Sequence, residues 1–178
     1  MKKLLLHSCC GPCSTQVIDL LRKDYDITIF YYNPNIDTLE EYNHRLSEQK
    51  RFCQEVGVPV IEEGHKPEEF LSRVCGLEGE PEGGARCSVC FRIRLEHTAQ
   101  KAKELGFDLF GTALTVSPHK NAEIINAIGR AIDEKSGQKF LEGNYKKQDG
   151  YKKSIEFSKK YNLYRQNYCG CKFAKGDR

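Results

Sequence analysis

From its second residue onward the chain alternates short apolar or β-branched runs with longer segments of helical period, which leaves few architectures open. Residues 2–8 predict a strand, the Gly11-Pro12 turn leads into a helix over 14–23, and residues 26–32 predict a second strand stopped by Asn33-Pro34-Asn35. A helix over 38–56 ends at Gly57, and a short strand over 58–62 precedes a short helix over 67–74. Residues 76–86 are a Gly- and Glu-rich loop with no packing face. Helix resumes over 88–105, then come a strand over 108–114, a helix over 121–135, a fifth strand over 139–141 and a last helix over 151–162. Parallel neighbours need crossover connections, so this order predicts an α/β fold, a parallel sheet flanked by helices. With 178 residues, 39% of them hydrophobic, the chain supports one core, and a single domain over 1–178 is expected. In such folds ligands gather outside the carboxyl ends of the strands, which puts residues 9–13, 33–35 and 115–120 around one crevice.

No apolar run approaches the ~18 residues of a membrane span, and the mean hydropathy of −0.62 agrees. The apolar stretch that opens the chain stops at His7, too short for a secretory signal, and predicts a first strand instead. Nine cysteines without such a signal place the thiols in a reducing compartment, so a cytoplasmic location is expected, with cysteines serving metal or redox chemistry.

Seven of the nine cysteines fall in three groups: Cys9, Cys10 and Cys13; Cys87 and Cys90; Cys169 and Cys171. The C-x2-C spacing of Cys87 and Cys90 near a helix start lets two thiolates turn toward one centre. Adjacent cysteines in extended backbone diverge, which suits separate irons of a cluster better than one small tetrahedral ion. Cys9, Cys10, Cys87 and Cys90 together satisfy either a [4Fe-4S] cluster or zinc, and the spare Cys13 favours more than one metal atom. The Cys169-Gly-Cys171 turn could form a reversible disulfide, ligate a metal or deliver electrons. Cys53 and Cys75 are expected to be small buried hydrophobes.

The charge is uneven. Residues 139–178 carry 11 Lys or Arg against 4 Asp or Glu, a net of +7, while the remainder nets −4. Tyr145, Tyr151, Tyr161, Tyr164 and Tyr168 interleave with these cations, a composition suited to RNA, with a solvated helix surface as the alternative.

Taken together, Cys9-Cys10-Gly-Pro-Cys13-Ser14, Tyr32-Asn33-Pro34-Asn35-Ile36, Glu41-Tyr42 with Arg45, Gly84-Ala-Arg86-Cys87-x-x-Cys90, Ser117-Pro118-His119-Lys120 and Tyr168-Cys169-Gly170-Cys171 resemble the QueH family of epoxyqueuosine reductases. The resemblance covers nearly the whole chain. It implies a Rossmann-like, cobalamin-independent iron–sulfur enzyme that deoxygenates the epoxide of epoxyqueuosine in the tRNA anticodon loop. It also implies an external electron donor and room for an additional mononuclear iron acting as Lewis acid.

The residues flanking the crevice divide by role. Cys13 and His119 are the expected catalytic groups, and Asn33, Asn35, Arg86 and Lys120 the expected substrate-binding ones. Turn chemistry is the alternative for the two asparagines, and a solvated loop position for His119. Glu41 and Arg45, four apart on one helix, are expected to form an ordinary surface ion pair. A carboxylate ligand for a second iron could come from Glu80, Glu82 or Asp149. Two rival functions make different demands on the residues. A nucleotide-dependent tRNA thiolation enzyme needs a Gly/Ser-rich phosphate loop where this chain has Cys9-Cys10-Gly11-Pro12, and a non-catalytic zinc-binding RNA module predicts a colourless protein.

Overall fold

The computed structural model describes residues 1–174; the last four residues of the basic segment, 175–178, lie outside it. Five strands, β1 (Lys2–His7), β2 (Tyr25–Tyr31), β3 (Val60–Glu62), β4 (Leu109–Thr112) and β5 (Lys139–Phe140), form one sheet in the order β3-β2-β1-β4-β5, with every pairing parallel. Six helices connect or flank them: α1 (Gly11–Leu21), α2 (Leu39–Val56), α3 (Pro67–Arg73), α4 (Ala85–Glu104), α5 (Ala122–Ser136) and α6 (Gly150–Lys160). The α/β expectation holds.

The central strand explains the layering. Leu4, Leu5 and Leu6 are all fully buried, as a strand covered on both faces requires. Leu4 and Leu6 pack with Val17 and Ile18 of α1 and Phe52 of α2, whereas Leu5 packs with Phe91 and Leu95 of α4 and Ile125 of α5. The period-2 alternation of the strand thus assigns α1 and α2 to one face and α4 and α5 to the other. Helix α6 returns to lie against α1.

Two helices begin three residues earlier than their sequence suggests, and both shifts move site residues. Helix α1 starts at Gly11, with Cys10 extended at its N-cap (φ −171°, ψ 161°) and Pro12 in its first turn, where a missing N–H costs nothing. Cys13 therefore stands on the helix rather than in a loop. Helix α4 starts at Ala85 after an extended Gly84, so Arg86 and Cys87 belong to its first turn. The fourth strand stops at Thr112, and a single 3₁₀ turn over Leu114–Val116 follows. Cys53 is buried as expected; Cys75 is exposed in the turn after α3, contrary to expectation.

The strand order reverses between β1 and β4, so the crevice at the carboxyl ends of those two strands is where a ligand belongs. His7 and Thr112, the last residues of β1 and β4, are register partners, and His7 Nδ1 lies 3.0 Å from Thr112 Oγ1 across that point. Among the described residues no helix is long and apolar enough to cross a membrane.

Candidate metal centre and its crevices

Directly beyond β1 the chain places three thiols together: the sulfurs of Cys9, Cys10 and Cys13 all lie within 4.8 Å of one another. Cys9 and Cys10 share a hydrogen bond at 3.8 Å. Hydrogen bonds from Cys10 and Cys13 hold the Cys9 thiol well below its ordinary pKa despite burial, with Lys120 and Arg94 acting in the same sense. Burial pushes Cys10 up to about 12, and Cys13, facing both neighbours, is also raised. Three thiols packed this closely, two of them buried, do not all ionise unaided, and a bound metal ion would supply the balancing charge.

The loop carrying them is fixed from α2. Gln49 accepts from Ser8 Oγ at 2.7 Å and donates to Ser14 Oγ at 2.9 Å, spanning the stretch that contains the thiols. Gln166 Nε2 donates to Cys10 Sγ at 2.9 Å, and the Gly83 amide donates to Cys87 Sγ at 3.2 Å. Amide donors to sulfur are how a protein tunes thiolate ligands.

Cys87 and Cys90 arrive on the first two turns of α4 and face a crevice of about 400 Å³, open space included, that Cys169 and Cys171 also line. A second crevice of about 840 Å³, open mouth included, is lined by Cys9 and Cys13. His119, Lys120 and Cys169 line both, so the two adjoin at the loop after β4. All nine cysteines are free thiols. A hydrogen bond from Cys171 lowers Cys169 to about 6 against the effect of burial, while Cys171 itself is raised by that bond.

Each predicted polar residue has a definite place. Asn33 is buried: its Nδ2 donates to the Ser8 carbonyl at 2.9 Å, and its Oδ1 accepts from His7 Nε2 at 3.1 Å and from Arg94 Nη1 at 3.5 Å. Asn35 lines the smaller crevice, with Nδ2 on the Cys169 carbonyl at 3.1 Å and a buried Oδ1 that has no partner among the described residues. Arg86 is buried; its Nη1 ties the carbonyls of Leu77, Glu78 and Glu80, and its buried Nη2 has no partner among the described residues. Of the three carboxylates, Glu82 lines the smaller crevice, and Asp149 is the exposed N-cap of α6.

Three residues escaped sequence reasoning. Arg94 is buried one turn beyond Cys90 on α4, and its charge acts on Cys90, Cys9 and Cys169 together; the four-residue spacing from a candidate ligand was its only signal. Burial and then Arg94 lower the His7 pKa to about 4, keeping the ring neutral. Both partners of its Nε2, the Tyr32 carbonyl at 3.0 Å and Asn33 Oδ1, are acceptors, so the proton sits on Nε2. Arg45, expected on the surface, is 1% exposed. Its Nε meets Glu41 at 2.7 Å, while Nη1 and Nη2 donate to the Cys169 and Tyr168 carbonyls at 3.1 and 3.0 Å.

Fold and site together define an α/β protein whose thiol cluster at the sheet's switch point is fit to hold metal. The family model described as epoxyqueuosine reductase QueH matches residues 4–177, and the chain belongs to that family. A Streptococcus pyogenes serotype M1 protein named epoxyqueuosine reductase QueH is 45% identical over 177 residues, covering 96% of this chain and 69% of the relative. A Thermotoga maritima protein of the same name is 37% identical and covers 98% and 91%. Among solved structures, the U34-tRNA thiolase NcsA from Methanococcus maripaludis with its [4Fe-4S] cluster superposes with a TM-score of 0.59 at 14% identity, over 97% of this chain and 61% of that one. A predicted tRNA methyltransferase subunit from Methanocaldococcus jannaschii gives 0.61 at 10%, over 89% and 75%. At these identities the likeness is one of fold.

Proposed function

We propose that this protein reduces the epoxide of epoxyqueuosine in a tRNA anticodon loop to give queuosine, using a [4Fe-4S] cluster held by Cys9, Cys10, Cys87 and Cys90. The observation that carries the proposal is the convergence of the Cys9, Cys10 and Cys13 sulfurs at the switch point of the sheet, in a chain of the QueH family. A cytoplasmic location accords with a tRNA substrate.

The reaction consumes two electrons and two protons: two carbon–oxygen bonds break, a carbon–carbon double bond forms, and the oxygen leaves as water. Bound in the crevice, the cluster supplies low-potential single-electron transfer. Cys169 and Cys171, on oxidation to a disulfide, release the two electrons and two protons that balance the equation, and an external donor restores the dithiol. Lys120 and His119, lining both crevices, deliver protons to the departing oxygen. Cys13, within 4.8 Å of the Cys9 and Cys10 sulfurs, is the thiol left over from the four ligands, to hold an additional mononuclear iron or to meet substrate. Asn35 and Arg86 offer their unpartnered atoms to substrate, and Asn33 fixes His7 and Arg94 behind the thiols.

Anaerobic reconstitution with iron and sulfide analysis tests the reading. A brown protein with about four irons and four sulfides that deoxygenates epoxyqueuosine tRNA is expected. Stoichiometric zinc without sulfide overturns it.

A further inference from the structure

Five tyrosines punctuate the basic segment, and the fold uses four of them. Tyr145 is buried, Tyr161 packs edge-on to Phe52 with centroids 5.0 Å apart, Tyr164 stacks on His44 at 3.9 Å, and Tyr168 is buried beside the Arg45 guanidinium at 5.3 Å. Tyr151 differs: it is 37% exposed and lines the larger crevice, with the Arg165 guanidinium 5.7 Å from its ring centroid. Asn167 lines the same crevice and is exposed, and its amide makes no hydrogen bond among the described residues.

The two crevices differ in chemistry. Phe70, Phe91 and Ala174 join four thiols around the smaller one, whereas hydroxyls, amides and cations surround the larger. An aromatic platform beside an uncommitted carboxamide suits a planar heterocycle: the ring stacks, and the amide answers an edge that pairs a donor with an acceptor. We propose that Tyr151 and Asn167 form the base-recognition end of the larger crevice, taking a purine-type base splayed out of single-stranded RNA, ring against Tyr151 and edge against the Asn167 amide. The assignment rests on the tRNA reading above. Cys9 and Cys13 line the same crevice as Tyr151 and Asn167, so base and thiols share one site.

The test uses the iron-loaded protein and two anticodon stem-loops, one carrying guanine at the wobble position and one abasic there. Wild type is expected to prefer the guanine form about tenfold. Tyr151→Ala and Asn167→Ala should each abolish that preference while leaving abasic binding and iron content unchanged, and Tyr151→Phe should retain it. Both side chains are exposed, so folding is not at issue. If both alanine variants keep the wild-type preference, the base-recognition assignment falls and the tRNA reading stands. If wild type binds neither stem-loop, the tRNA reading falls with it.

Discussion

Arg45 Nη1 donates to the Cys169 carbonyl oxygen at 3.1 Å, so an arginine in the second helix holds the Cys-Gly-Cys turn from the far end of the chain. The same guanidinium reaches the Tyr168 carbonyl and Glu41, and Asn35 adds a second bond to the Cys169 carbonyl. The placement of the proposed redox thiols therefore depends on α2 and on the loop after β2.

Replacing that arginine tests the dependence. Arg45→Met leaves Glu41 and two carbonyls without their cation, and breaking a buried pair in this way costs about 3 kcal/mol. Denaturant unfolding should show that loss, and Cys169 should alkylate faster than in wild type under native conditions. An unchanged alkylation rate would remove Arg45 from the site.

The cysteines separate by variant. Cys87→Ala or Cys90→Ala should lose cluster and activity together, since no other thiol stands on the opening turns of α4 to replace a lost ligand. Cys13→Ala should keep most of the cluster absorbance and lose deoxygenation. Iron analysis beside turnover distinguishes these outcomes, and a Cys13→Ala protein with wild-type turnover would make Cys13 a packing residue.

Helix α6 offers a separate test. Lys152, Lys153, Lys159 and Lys160 are exposed on the helix whose Tyr151 and Ser154 line the larger crevice. Replacing the four lysines with alanine should weaken tRNA binding and reduce the slope of log affinity against log salt by about 3 to 4. Turnover at saturating tRNA should change little. An unchanged slope would identify the face as solvated surface.

Away from the site, Glu63 gives a pH prediction. Burial alone would raise its pKa, but Lys101 at 2.9 Å and His97 at 3.3 Å lower it below the ordinary carboxylate value. A carboxyl lowered on folding contributes its full stability above the unfolded pKa and loses it as pH falls through the folded one. Acid unfolding of Glu63→Gln should therefore be shallower than that of wild type below about pH 4.5. Parallel curves would show that the pair does not act in the native state.

The order of elements was legible because the apolar periods of β1, β2, α4 and α5 are strong and local. The starts of α1 and α4 were not, since neither Cys10 nor Gly84 carries a side-chain cap and both stretches read as turns. The spacing grouped Cys13 with Cys9 and Cys10, but it could not show that their three sulfurs lie within 4.8 Å of one another. Arg45 was misplaced for a different reason. Its four-residue distance from Glu41 is the signature of an exposed pair, and the segment that buries it lies more than 120 residues downstream.

The three thiol groups lie near residues 9, 87 and 169, at the start, middle and end of the chain. A chain emerging in order presents its first thiols long before the partners that complete the crevice exist. The shared lining is complete only once the Cys169 turn is held by Arg45. A product that stops before Cys169 lacks a residue that lines both crevices.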